Sequence, residues 1–284
     1  MATIKKVSKE DFEMVYPLLK QLNNSHISEY EWKQLFINHW DAQEDYFGYA
    51  LIDRNRAVGF LGLMFSSVMI NHVKHKFCNF TSWVVQKEFR GESIKLLIPV
   101  LRLRGYTLTS HTMSSGTYFV FKKMGFRDLE DSLVIIPPLP KLGGFSKSHR
   151  VIVNSQTITQ FLDEENLKIY HDHSNLNAHY ILVQTEHDQC FMVATRPIKK
   201  NLPFAHLHYI SDLNIFAECI EKIRLVVCLQ LKVVALLIDK RCLRGERISR
   251  SWEYTLPQPR LYKSDYLNKD DITALYSELI LLNL

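Results

Sequence analysis

The chain has 284 residues and a net charge of +5, with 46% hydrophobic, 12% aromatic and 23% charged side chains. This composition excludes a disordered tail, a collagen-like fibre and a coiled coil, and it suffices for one large core or two of about 140 residues each. The 35 basic and 30 acidic side chains are spread along the chain, too mild an excess to predict a nucleic-acid partner, and no apolar run approaches the ~20 residues of a membrane span.

Residues 4–7 read as a short strand. Ser8 and Asp11 form an N-cap pattern for a helix to about Leu22, with Phe12, Val15, Leu18, Leu19 and Leu22 inward and Pro17 as a bend. A second helical stretch covers 30–37. Residues 46–52 and 57–70 flank the turn-rich Asp53, Arg54, Asn55, Arg56 and predict a β-hairpin. A strand over 76–85 leads through residues 86–91 into a helix over 92–103. A strand over 106–111, a helix over 114–124 and a strand over 131–136 complete the first half.

The segment 137–144 concentrates three prolines and two glycines between periodic stretches, which makes it the expected boundary: a domain at 1–136, a linker at 137–150 and a domain at 151–284. Seven of the ten glycines fall at or before Gly125, so a backbone loop that approaches a phosphate closely belongs to the first half. Beyond the linker, residues 151–153, 180–184, 190–196 and 205–210 read as strands. Residues 212–230 form a helix with Ile215, Phe216, Cys219, Ile220, Ile223, Val226 and Val227 on one face. A strand over 232–239 and a short helix over 270–281 close the chain. The alternation predicts mixed α/β layers in both halves.

The N-terminal MATIKKVSKEDF lacks the apolar stretch of a signal peptide. Cys78, Cys190, Cys219, Cys228 and Cys242 share no CxxC spacing and mostly sit in apolar strings. The expectation is a cytoplasmic protein with reduced core thiols.

The segment SWVVQKEFRGESIKLL at 82–97 carries the most chemistry. A strand that delivers the chain into a helix N-terminus presents unpaired backbone N–H groups, and with the helix dipole these form an anion site. His111, at the end of a strand, has an intrinsic pKa of ~6.5, suited to taking a proton from an ammonium group. His72 and His75 precede the strand over 76–85 and can approach the same gap. His171 and His173 suggest metal ligation, but no thiol or acidic cluster at ligand spacing supports it, so the expectation is a solvated loop and no metal. Lys240, Arg241, Arg244, Arg247 and Arg250, followed by Trp252, Tyr254, Tyr262 and Tyr266, combine guanidinium forks for a diphosphate with aromatic faces for a base; the other reading is an ordinary charged surface.

The order of elements, VQKEFRGESI at 85–94 and YFVFKKMGF at 118–126 together resemble the GNAT superfamily of acyl-CoA-dependent N-acyltransferases, over residues 1–136 most closely. The resemblance implies two GNAT-like domains, each an α/β unit with a mixed, mostly antiparallel sheet flanked by helices. It also implies acetyl-CoA or another short acyl-CoA as co-substrate. Residues 83–85 (Trp83, Val84, Val85) would pair with the pantetheine arm as an added strand, and the N–H groups of Arg90, Gly91, Glu92, Ser93, Ile94 and Lys95 would hold the pyrophosphate. Ser93 and Lys95 stand where the family has small residues, mostly glycine. The family's glutamate base has no counterpart, because no Asp or Glu occurs from Arg54 through Lys87, and the family's tyrosine acid position matches Phe121. Tyr118, nearly one helical turn before Phe121, and His111 are then the acid and base candidates.

Residues 205–239 resemble a degenerate GNAT core without the Arg-Gly loop, so the second half is expected to cover the substrate side of the first. Tandem chains of this size resemble bacterial enzymes that acylate amino sugars carried on nucleotides in surface-polysaccharide synthesis, with Arg241 and Arg244 on the acceptor. The alternatives are an acetyltransferase for a protein, amino acid or antibiotic amine, and a non-catalytic acyl-CoA-binding module.

Overall fold

The computed structural model describes residues 2–22, 24, 27–40, 42–70, 72–141 and 148–284, so residues 142–147 of the expected linker at 137–150 lie outside the described residues. β1 (Thr3–Lys6) ends at a reciprocal cap, in which the Asp11 carboxylate accepts both the Ser8 backbone N–H and its hydroxyl at 3.1 Å. A short 3-10 turn then enters α1 (Phe12–Leu19), whose Phe12, Val15, Leu18 and Leu19 are buried. α2 (Glu29–Gln34) starts with the same device, Ser28 and Glu31. Phe12 meets Phe36 edge-on at 5.1 Å and Phe36 stacks on Phe60 at 5.8 Å, which fixes α1 and α2 on one face of the sheet.

β2 (Gly48–Asp53) and β3 (Arg56–Ile70) form the expected hairpin. Arg54 and Asn55 have φ of 46° and 62°, the left-handed pair that suits the twist of the flanking strands. β3 pairs antiparallel with β4 (Val73–Val85), which is longer than the sequence predicts. A 3-10 turn over Lys87–Glu92 leads into α3 (Ile94–Leu101), and β5 (Tyr106–Ser110) returns parallel to β4. α4 (Ser115–Lys123) stops at Gly125, φ 84°, where the Phe126 N–H donates back to the Phe121 carbonyl at 3.1 Å.

The chain continues through β6 (Arg127–Ile136), β7 (Arg150–Val153), α5 (Glu164–His173), β8 (His179–Gln184), β9 (Gln189–Thr195), the two-residue pair β10 (Ile198–Lys199) and β11 (Leu202–Pro203), and β12 (Ala205–Ile210). α6 (Leu213–Leu231), β13 (Leu236–Asp239), β14 (Trp252–Lys263) and α7 (Glu278–Leu281) follow.

The chain divides into two units. Unit 1 holds Met1–Leu129, Arg260–Ile272 and Tyr276–Leu282; unit 2 holds Glu130–Pro259, Thr273–Leu275 and Asn283–Leu284. The division falls inside β6, not in the Pro-Gly segment, and the last quarter of the chain serves both units. In unit 1 the strands are ordered β1-β2-β3-β4-β5-β14, and β14 pairs with β5 through Leu261 and Ser110. In unit 2 the order is β6-β13-β12-β9-β8-β7, and β6 pairs with β13 through Ile136 and Leu236. Each sheet is mixed and mostly antiparallel, with the parallel pairs β4–β5 and β12–β13. The expected α/β class holds.

The two units repeat one plan. In unit 1 the β3–β4 register slips at Thr81, and in unit 2 the β9–β12 register slips at His208. Both are one-residue bulges on the strand that precedes the crossover helix. α6 lays Phe216, Ile220, Ile223 and Val227 on Ile181, Met192, Leu207 and Ile238, each fully buried aliphatic side chain worth ~1.5–3 kcal/mol. Arg224 is buried on the same helix and donates to the carbonyls of Leu139 at 3.1 Å and Ser249 at 2.7 Å.

Two expectations fail at the level of elements, and one strand has no counterpart in the sequence reading. His171 and His173 lie on α5, not in a solvated loop, because Asp163 caps this helix by accepting the Asn166 N–H. The 252–263 stretch is strand β14. The helix over 270–281 breaks into a 3-10 turn, Lys269–Asp271, and the four-residue α7, since Ser277 is extended at φ −139° and caps a new start.

Candidate functional site

The gap between β4 and β5 positions the candidate site in unit 1. The two strands pair from Lys76 with Tyr106 to Phe80 with Ser110, and no further. β4 continues over residues 81–85, held by β3 alone, so Trp83, Val84 and Val85 lie on a strand edge whose backbone groups face a gap. The bulge at Thr81 starts this divergence. Opposite it, a Cβ on Gly62 would lie 2.4 Å from both Thr81 Oγ1 and Ser82 Oγ, so glycine is what leaves room for both hydroxyls on this face. Ser82 Oγ is buried without a hydrogen-bond partner among the described residues, which leaves one donor to spare beside the open edge. An extended chain such as pantetheine fits these features.

The Arg-Gly turn is more occupied than a bare loop. Residues 87–92 wind into a 3-10 helix, and the Ser93 N–H donates to the Arg90 carbonyl at 3.2 Å. Arg90 and Gly91 are exposed, and among the described residues nothing lies within 4 Å of a Cβ built on Gly91. Lys95 reaches Glu92 at 2.6 Å, and that hydrogen bond holds the Glu92 carboxyl below its usual range. Lys95 is therefore matched within the turn. Ile94 begins α3 and packs toward the unit 1 core.

α4 supplies the next two residues. Phe121 is buried, with its ring 4.8 Å from Phe80, 5.7 Å from Trp83 and 4.7 Å from Phe126, so it fills the core behind β4. Tyr118 donates its hydroxyl to Asp128 at 3.1 Å; burial and this bond push its phenol above the ordinary value, which keeps it protonated. His111 is buried immediately after β5, at the closed end of the gap.

His72 and His75 do not approach this place. His75 pairs with Val68 near the hairpin end of β4, six residues from Thr81 and roughly 20 Å away along an extended strand.

A carboxylate from far along the chain does approach it. Glu278 is fully buried; its Oε1 accepts the Thr112 hydroxyl at 2.8 Å and its Oε2 accepts the Asn79 amide. Asn79 is the register partner of Met64 and Thr109, and Thr109 Oγ1 donates to Asn79 Oδ1 at 3.1 Å. Phe60, Met64 and Asn79 share the face that α1 and α2 cover, opposite Cys78 and Phe80. Burial raises the Glu278 carboxyl above the ordinary range, against the lowering effect of Thr112, Asn79 and Arg260. Residues 54–87 contain no acid, but the fold brings one in from residue 278. Ser277 before Glu278 is a capping signal legible in the sequence, although nothing local says where that turn docks.

In unit 2, Arg241 donates its backbone N–H to Glu130 at 2.8 Å and holds its guanidinium 3.8 Å from Asp239, while Arg244 is exposed with φ 48°. His173 is buried with its ring nitrogens 2.8 Å from the Ile169 carbonyl and 3.0 Å from the Leu275 carbonyl; burial lowers its pKa, and its place is structural. His149 stands 3.3 Å from Cys219 Sγ and 3.2 Å from Glu218, a set of donor atoms that sequence spacing does not show. Burial pushes the Cys219 thiol up to about 11.

No protein-family model and no curated protein sequence matches the chain. Solved structures do share its fold. A conserved protein from Enterococcus faecalis V583, described as a probable N-acyltransferase, superposes with a TM-score of 0.61 at 11% identity, over 95% of this chain and 74% of that one. A GCN5-related N-acetyltransferase from Kribbella flavida gives 0.58 at 11% identity, over 92% and 70%. The GCN5-related glucosamine N-acetyltransferase region of a fungal multi-domain GH3 β-N-acetylglucosaminidase gives 0.59 at 12% identity, over 92% of this chain and 38% of that one. At these identities the likeness is one of fold, and the fold is that of the GCN5-related N-acetyltransferases.

Proposed function

We propose that this chain is an acyl-CoA-dependent N-acyltransferase that moves an acetyl or other short acyl group to a primary amine. One observation carries the reading: β4 and β5 part at a bulge and leave the edge over residues 81–85 open beside an Arg-Gly turn. The edge of β4 binds the extended arm of the thioester by strand addition, with Ser82 Oγ available to it, and the turn over residues 90–95 faces the diphosphate. The chain's part in the chemistry is to align an amine with the thioester carbonyl, to take up the ammonium proton and to return a proton to the departing thiolate. Tyr118 and His111 stay as candidates for the proton donor and acceptor. Five free cysteines, four of them buried, support a cytoplasmic protein.

For the acceptor we propose an amino sugar carried on a nucleotide, with Arg241 and Arg244 on its diphosphate. Exposed Arg244 is the better placed of the two, since Arg241 already faces Asp239. Arg244→Glu is then expected to raise the acceptor KM and leave that of acetyl-CoA unchanged; an unchanged acceptor KM favours a protein, amino acid or antibiotic amine instead.

Calorimetric titration with acetyl-CoA tests the main reading. Saturable micromolar binding is expected, and Gly91→Trp, which meets open space and leaves the fold intact, is expected to abolish it. Absence of binding to the wild-type protein would place a non-catalytic module first, with the engaged Ser93 N–H as its physical cause.

A further inference from the structure

We propose that Glu278 receives the proton of the acceptor amine and that the Thr112 hydroxyl conducts it there; this rests on the acyl-transfer reading above. Glu278 exposes none of its surface, whereas Thr112 is exposed, so the hydroxyl that donates to Oε1 at 2.8 Å links the carboxylate to the outside. Thr112 lies two residues beyond the end of β5, where the pairing with β4 has stopped, and Asn79 lies two residues before the bulge at Thr81. A carboxylate is thus held where the two strands part, on the face of β4 that α1 and α2 cover.

The manner of its holding matters chemically. A buried carboxylate is costly unless its lone pairs are met, and the fold meets these with an amide and a hydroxyl. Both donors are neutral, and a carboxylate held by neutral donors keeps more of its basicity than one forked to a guanidinium. Arg260 on β14 favours the ionised form; burial opposes and outweighs it. The two donors call for two acceptor oxygens: a glutamine of the same shape keeps an oxygen for Thr112 but sets its NH2 against the Asn79 NH2.

The step balances as follows. The acceptor ammonium passes one proton to Thr112 Oγ1 as that hydroxyl passes its own to Glu278 Oε1, which leaves a neutral amine and a carboxylic acid. The amine lone pair forms the C–N bond at the thioester carbonyl, the C–S bond breaks, and the second amine proton leaves with the thiolate as the free thiol. Glu278 then returns its proton to water through Thr112. Thr112 is the group that touches the amine, and Glu278 acts through it.

Two measurements test this. The first needs no acceptor: the infrared carboxyl band of Glu278, isolated as wild type minus Glu278→Gln, is expected to persist to pH values above the ordinary glutamate range and to shift in Thr112→Val. A band that titrates in the ordinary range and is unmoved in Thr112→Val overturns the proposal. The second uses acetyl-CoA with glucosamine and other small primary amines. Thr112→Val is expected to lower kcat by about 100-fold with little change in the KM for acetyl-CoA, to move the acid limb of the pH profile, and to be rescued by Thr112→Ser. Wild-type kcat in Thr112→Val overturns the relay. Should Glu278→Gln fail to fold, Thr112→Val still decides, since its side chain is exposed. Failure of the wild-type protein to bind acetyl-CoA would instead sink the acyl-transfer reading, and the relay with it.

Discussion

Gly62 shows how one missing side chain shapes the site. A methyl group there would lie 2.4 Å from the hydroxyl oxygens of Thr81 and Ser82, so these side chains would have to turn away or the strands move apart. Gly62→Ala is expected to cost ~1–3 kcal/mol in urea unfolding and to weaken acetyl-CoA binding in calorimetry. Glu278 makes a second prediction, in pH. Burial raises its carboxyl in the folded protein, so the folded chain holds a proton that the unfolded chain has released. Its contribution to stability is therefore complete below the unfolded value of ~4.3 and is lost as pH rises through the raised one. Stability of Glu278→Gln is expected to fall less steeply with pH over that window, as read by thermal unfolding. Asp11 has the opposite sign: hydrogen bonds from Lys5 and Ser8 prevail over burial and lower its carboxyl, so its contribution is present above the ordinary value and is lost as pH falls.

The elements show how far local patterns reach. Ser8 with Asp11, Ser114 before α4 and the Gly125–Phe126 stop are short-range devices, and the corresponding helices are legible from residues alone. The hairpin turn at Arg54 and Asn55 is legible for the same reason. β14 was not, because Pro257 and Pro259 interrupt its alternation and its first residues are exposed, so only pairing with β5 shows it to be a strand. α5 was hidden by its weak apolar periodicity, and its buried Ile169 and His173 are fixed by contacts far away in sequence. The edge over residues 83–85 was expected from motif and order. The Glu278 carboxylate was invisible, since its neighbours Asn79 and Thr112 lie 199 and 166 positions away. Local rules find a strand-to-helix turn; they do not find what a distant segment brings to it.

At the scale of the whole molecule, the strands that complete the two sheets are exchanged along the chain. β6 follows α4 of unit 1 yet pairs with β13 in unit 2, and β14 follows unit 2 yet pairs with β5 in unit 1. A fragment of residues 1–136 carries every motif of the resemblance but lacks β14 and Glu278. It is expected to expose the edge of β5, to aggregate in size-exclusion chromatography and to bind no acetyl-CoA, whereas co-expression with residues 137–284 is expected to restore a soluble complex. A monomeric, cooperatively unfolding 1–136 fragment would show that β14 is dispensable.

This exchange also sets a timetable for synthesis. About 130 residues separate Leu129 from Arg260, the next part of unit 1 to be made. At about 5–20 residues per second, a ribosome takes roughly 7–26 s to deliver that strand. Throughout that interval the nascent first unit waits with the β14-facing edge of β5 unpaired.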